Sequence, residues 1–429
     1  MNIFDQLLAD NQIPKFVRVR HEMDRGHIDD IEGAVAQAMQ REGTLDRIKP
    51  GDSVCITAGS RDVANIARVI RAICDQVKSV GAHPFIIPAM GSHAGAKAEG
   101  QRGIIEGYGV TEEAMGAPIR ATMDTEVIAH SKSGLEIHLD KYANAADFLI
   151  PVGRIKAHTD FRGEVESGIC KMLVIGMGKQ HGAYQCHKLG FKSMAANVKE
   201  FAGAIIEKKP NMFAIGLIEN AYHQTCRIEA IPAGRILEEE PPLLDYAKSR
   251  MAKIPFDQAD ILFVDETGKD ISGAGMDPNV TGRSPVLGIS RPFFQRIAVF
   301  DLTDKSHGNF GGLGSADVTT QRLYRKIDFE QTYPNGITAA EPLAVRLPAV
   351  MPSDRTAMQF ALRTATDCDW EKGPRIVWLK NTLSLSEFYI SEALIPDAEA
   401  LDNVTIVSEP MEVIFDEEGN VKELSLIHI

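Results

Sequence analysis

Two apolar strands joined by an amphipathic helix, each strand ending in a Gly-Ser turn, most strongly limit what this chain can fold into. SVCITAGS, Ser53 to Ser60, follows a Pro50-Gly51 turn and reads as a buried strand. In the segment after it, Val63, Ile66, Val69, Ile70, Ile73 and Val77 recur at helical spacing, with Asp62 placed as a cap and Gly81 as a stop. PFIIPAM, Pro84 to Met90, is the next strand. Residues 50–90 therefore predict a strand–helix–strand crossover, the unit of a parallel sheet. The strands end in AGSR and MGSH, and ligands of open α/β sheets bind outside the carboxyl ends of strands. Arg61 and His93 are thus expected to face one crevice. The helix start at AGSR suits a phosphate, although Arg61 reads equally as half of a surface ion pair.

The alternation continues along the chain. ADFLIPVG, Ala146 to Gly153, is an apolar strand, Met194 to Lys208 an amphipathic helix, and Phe213 to Asn220 a strand. EEEPPLLDYAKSRMAKI reads as a helix following a Pro-Pro turn. A second unit is expected from Phe256, with strands at Ile261–Val264 and Arg296–Leu302, a long polar Gly-rich loop between them, and a Gly-rich turn into a helix at His307–Thr320. The expected architecture is two α/β domains with mostly parallel sheets and an interdomain active-site cleft. Residues 1–255 form the catalytic and cofactor-binding domain, and 256–423 the C-terminal domain. The tail 424–429, LSLIHI, reads as translated sequencing adapter, so the natural chain is expected to continue past Glu423.

Composition narrows the function. The 429 residues are 44% hydrophobic, a globular proportion that suits several domains. The net charge of −13, without a Lys/Arg-rich run, argues against nucleic acid as a partner. The N-terminus lacks the pattern of a signal peptide, and no window approaches the roughly 18 apolar residues of a membrane helix. Six scattered cysteines without a CxxC read as reduced thiols in a cytoplasm.

The densest chemistry is GRIKAHTDFRGEVESGICKMLVIGMGKQHGAYQCH, Gly153 to His187. It holds His158, His181 and His187, Cys170 and Cys186, Glu164 and Glu166, and Lys171 within an apolar run. The histidines are candidate metal ligands, although their spacing matches neither HExxH nor a zinc ribbon. The cysteines read as small buried hydrophobes. Glu164 and Glu166 read as a solvated loop face rather than general bases. Lys171 is either a desolvated nucleophile or a snorkelling lysine.

Taken together, GSR, PAMGSHAGAKAEGQ, the Gly153–His187 stretch, IENAYH and VDETGKDISGAGMDPNVTGR resemble the lactate racemase family. The likeness is nearest to its branch of nickel pincer cofactor-dependent isomerases of unassigned substrate, and it spans most of residues 10–300. The resemblance implies a nickel pincer nucleotide, a pyridinium mononucleotide whose two sulfur arms and a ring carbon hold nickel. On the matching positions, Lys171 is the cofactor tether, His187 the nickel ligand, and His93 and His158 the catalytic acid/bases. Arg61, with Ser60 beside it, is the phosphate contact. Lys269 and Arg154 are weaker candidates for the substrate carboxylate. The segment from His158 to Lys171 is longer than in lactate racemase itself, Ala58 replaces an acidic residue, and Ala94 rather than arginine follows His93. These departures border the substrate, so lactate is not implied.

The implied activity is racemisation or epimerisation of a 2-hydroxy acid or sugar acid by hydride transfer to the cofactor. Two histidines would act on opposite faces of the substrate, and cofactor-synthesis enzymes would load the chain. Two alternatives remain: a mononuclear zinc hydrolase using His158, His181 and His187, and a non-catalytic pincer-cofactor-binding protein.

Overall fold

The computed structural model describes residues 3–60, 63–284, 291–339 and 341–422. Arg61, Asp62 and the tail 424–429 lie outside the described residues. The protein is a mixed α/β chain that divides into two compact units, Asp24–Met251 and Met1–Met23 with Ala252–Ile429.

The Asp24–Met251 unit is built on the crossover. Strand Ser53–Ala58 lies between His83–Pro88 and Phe148–Ile150, both parallel to it, with Ile56 opposite Ile86 and Ile150. Helix Ile66–Ser79 buries Ile66, Val69, Ile70, Ile73 and Val77 against the sheet. A 3.6-residue period places these side chains on one face. The residue before the helix is Asn65, in a left-handed conformation (φ 61°), and its side chain bonds Thr225 Oγ1 at 3.1 Å instead of capping the helix.

A second small sheet continues from the first. Val152–Arg154 runs parallel to Phe213–Glu219, which pairs antiparallel with Thr225–Pro232. Thr125–His130 and Glu136–Asp140 form a hairpin. The Pro-Pro pair does not precede its helix: Ile236–Arg250 runs through Pro241 and Pro242. Burial of Ile236, Glu240, Leu243, Leu244 and Ala247 holds this segment helical, so tertiary packing outweighs the two missing N–H donors.

The other unit carries an eight-stranded sheet. Its parallel part places Gln258–Thr267 between Phe293–Leu302 and Ile376–Leu379. Val318–Thr320 and Ala349–Met351 extend it beyond Phe293–Leu302. Val318–Thr320 is thus a strand within a segment expected to turn directly into a helix, which starts only at Gln321. Glu387–Ser391, Phe16–His21 and Val404–Ile406 complete the sheet antiparallel.

The first 23 residues therefore belong with the C-terminal unit, not with a domain running from 1 to 255. Phe16 is fully buried, with its ring 5.2 Å from Trp378 and 6.3 Å from Phe263. A single short strand far from its partners in sequence gives no local sign of where it pairs.

Truncating an aromatic side chain at the centre of such a cluster costs about 3–5 kcal/mol. Phe16→Ala is expected to lower the stability of the C-terminal unit by that amount, read as a lower urea midpoint. A change below about 1 kcal/mol would place Phe16 outside the core.

Candidate active site

The Gly153–His187 stretch leaves strand Val152–Arg154, loops out, and returns as a helix that changes character along its length. Ile169–Lys171 is α-helical, Met172–Gly176 a π turn, and Lys179–His187 α-helical again. π turns inside helices recur at functional sites because they re-aim side chains. Lys171 stands at the start of this turn and His187 at the end of the last segment.

The helix start is held by a carboxylate from another element. Glu240, fully buried, accepts the Cys170 N–H on Oε2 at 2.9 Å. A Cβ on Gly168 would lie 2.0 Å from its Oε1, so a larger residue there would displace this carboxylate. Burial raises the pKa of this carboxyl.

His158 has a defined tautomer. Its Nδ1 accepts the Asp160 N–H at 2.9 Å, so the neutral ring carries its proton on Nε2. That Nε2 lies 2.5 Å from Lys171 Nζ. The ring lies against Phe161 with centroids 4.2 Å apart. Desolvation, then the charges of Lys171, Lys156, His187 and Arg162, push the His158 pKa well below its usual value.

His187 shows the complementary arrangement. Its Nδ1–H donates to the Ala183 carbonyl at 2.6 Å, leaving the Nε2 lone pair for a ligand. This is the way second-sphere carbonyls orient metal-binding imidazoles. Desolvation is the main cause of its lowered pKa.

His93 and Ser60 meet, although they come from different strands. Ser60 Oγ and His93 Nδ1 are 2.5 Å apart. Tyr108 donates its hydroxyl to the Ser60 carbonyl at 2.7 Å, and buried Gln101 donates to the carbonyls of Gly91 (2.9 Å) and His93 (3.3 Å). Both Gly-Ser turns pack on the π turn. A Cβ on Gly59 would lie 3.2 Å from Met172 Cε, and one on Gly91 3.2 Å from Ile175 Cγ2. Gly91 also has φ 62°, and its N–H points at the Gly176 carbonyl at 3.4 Å. One helical turn thus joins the His93 turn to the Lys171–His187 segment.

The other expected residues are placed as follows. His181 stacks on His138, with centroids 5.7 Å apart. Among the described residues, no three His, Cys, Asp or Glu side chains gather as a metal-binding set, so the zinc reading lacks its ligands. Cys170 and Cys186 are buried, and burial pushes the Cys186 thiol up to about 12 and Cys170 well above its ordinary value. They are packing residues. Glu166, expected on a solvated face, is fully buried. The Arg154 guanidinium pairs with Glu219 at 2.7 Å, and Glu219 also accepts the Ala64 N–H at 2.8 Å. Lys269 belongs to the C-terminal unit, where Nζ donates to the Gly273 carbonyl at 2.7 Å. Sequence reasoning missed Gln101, Tyr108, Asp140 and Glu240, which act through main-chain groups and leave no spacing signal. Lys179 was visible only as one more lysine.

No helix of the described residues is long and apolar enough to cross a membrane. No protein-family model matches the sequence, and no curated protein matches it. Among solved structures, the lactate racemase apoprotein from Thermoanaerobacterium thermosaccharolyticum is similar. It shares 16% identity at a TM-score of 0.53, over 86% of this chain and 93% of that one. At that identity the likeness is one of fold.

The depressed His158 pKa makes stability depend on pH. Above about 6.5 the ring is neutral both folded and unfolded; below it, the unfolded chain takes up a proton that the folded chain refuses. Stability is therefore expected to fall as pH drops from 7 to 5, and His158→Gln to flatten that slope, read as Tm against pH. An unchanged slope in the variant would contradict the burial described here.

Proposed function

We propose that this chain is a racemase or epimerase of a 2-hydroxy acid or sugar acid, and that it works with a nickel pincer nucleotide. The observation that carries the reading is the joint state of Lys171, His158 and His187. A lysine amine in contact with a histidine kept neutral by burial, and an imidazole with its Nε2 lone pair available, stand on one short helical segment and the loop before it. The donor set fits the group. With one imidazole and no cluster of further ligands among the described residues, the chain suits a metal that arrives with its own soft donors. His187 would complete the nickel coordination, Lys171 would tether the nucleotide, and Ser60 with Arg61 would lie on its phosphate side.

When bound, the group supplies a carbon that accepts hydride from the substrate Cα, which is too weakly acidic to lose a proton. The chain's part is proton transfer and orientation. His158, kept neutral by burial, would take the hydroxyl proton on Nε2 as the carbon becomes planar, once its own ring proton, which rests on Nε2 in this structure, has passed to Nδ1 in place of the Asp160 N–H bond. His93, on a turn from a different strand and held by Ser60, would serve the opposite face, so that either enantiomer can be processed. The substrate carboxylate needs a cation, for which Lys269 and Arg154 are candidates. Cofactor-synthesis enzymes acting in the cytoplasm would load the chain.

Protein co-expressed with cofactor-synthesis enzymes tests the reading in a screen of 2-hydroxy and aldonic acids, run in ordinary and deuterated water. Isomerisation without deuterium entering carbon is the expected result. His93→Ala and His158→Ala should each lower kcat about 10²–10⁴-fold while the cofactor stays bound. A loaded protein that isomerises nothing, with both variants indistinguishable from the parent, would favour a non-catalytic cofactor carrier. Deuterium at carbon would replace hydride transfer with proton abstraction.

A further inference from the structure

Glu164 and Glu166 stand two residues apart, and the fold treats them oppositely. The Glu164 side chain is 66% exposed and pairs with Lys199. The Glu166 side chain has no exposure at all and lies between two cations, Lys248 Nζ at 2.8 Å and Arg162 Nη1 at 3.4 Å. Removing a carboxylate from water is costly even when it is paired, so a fully buried one in a loop calls for a reason beyond stability.

That reason lies at residue 158. Glu166 Oε2 accepts the His158 N–H at 2.7 Å, and Arg162 donates to the His158 carbonyl. The ion pair therefore grips both main-chain polar groups of one residue. A charged acceptor and a charged donor make these bonds stronger than neutral ones. With the main chain fixed, the ring has one resting place, stacked on Phe161 with Nδ1 on the Asp160 N–H and Nε2 toward Lys171.

We propose that Glu166 is a positioning residue that fixes the main chain of His158 and so holds its imidazole in place, aimed at Lys171. It touches neither substrate nor reacting atoms and acts through the peptide groups of His158. The inference rests on the acid/base role proposed above for His158, but its first test does not depend on activity.

That test is a long-range 1H–15N spectrum of histidine-labelled, cofactor-free protein, with His158 assigned by its loss in His158→Gln. The wild type should show the Nε2–H tautomer. Glu166→Gln, with folding checked by circular dichroism, should show a tautomer mixture. If that variant does not fold, Glu166→Asp, whose shorter side chain cannot reach, should show the same change. An Nδ1–H tautomer in the wild type, or an unaltered Nε2–H tautomer in a folded variant, overturns the proposal.

In the cofactor-loaded enzyme, Glu166→Gln should lower kcat about 10–100-fold with KM nearly unchanged, the usual cost of losing an outer-sphere partner. The two readings fail separately. A tautomer change in a protein with no isomerase activity keeps the positioning role and removes the proposed function. Isomerase activity with tautomer and kcat both unaltered does the reverse.

Discussion

A lysine and an aspartate, neither with any solvent exposure, hold the candidate site together. Lys179 Nζ lies 3.1 Å from Asp140 Oδ2 and also donates to the Pro88 carbonyl. Pro88 ends the strand that leads into the His93 turn, Asp140 caps helix Lys141–Ala145, and Lys179 starts the helical segment that ends at His187. Lys179 takes a left-handed conformation (φ 54°) to reach this position, one that a side chain other than glycine adopts only under constraint. Desolvation lowers the lysine pKa and raises that of the aspartate. Removing one partner of such a pair costs about 3–5 kcal/mol because the other is left buried and uncompensated. The pair stabilises the join rather than the core.

A second theme is the control of nitrogen lone pairs. Each histidine near Lys171 has one ring nitrogen committed to the main chain: His158 Nδ1 to the Asp160 N–H, and His187 Nδ1 to the Ala183 carbonyl. Because one bond is accepted and the other donated, the two rings present opposite chemistry at Nε2, a proton on one and a lone pair on the other. Burial then keeps both rings neutral. Buried acids, Glu240 at the helix start and Glu166 at the His158 turn, fix the backbone that carries them. His158 and His187 can thus sit close to Lys171 with both rings uncharged.

Much of this was legible in the sequence. Helical and strand periods identified the crossover, because burial of one face imposes those periods directly. Gly-Ser turns at strand ends pointed to Arg61 and His93; Arg61 lies outside the described residues, and its neighbour Ser60 is the residue that meets His93. The crowding of Gly153–His187 marked the central segment. The remainder depended on contacts between residues distant in the chain. Glu166 has the local sequence of a solvated loop and is buried only because Lys248 and Arg162 meet it. His181 sits six residues from His187, yet it points to His138. The N-terminal strand belongs to the other unit because Phe16 completes an aromatic cluster assembled from residues beyond 260. The helix through Pro241 and Pro242 defies local propensity because its apolar face is needed in the core.

The proposed function rests on Lys171 as the tether and His187 as the metal ligand, and mass and metal analysis of protein co-expressed with cofactor-synthesis enzymes tests it most directly. Added mass on the peptide bearing Lys171, with stoichiometric nickel, is the predicted result. Lys171→Ala should lose the added mass, whereas His187→Ala should keep it and lose nickel. An unmodified Lys171 peptide, or nickel retained in His187→Ala, would contradict the account.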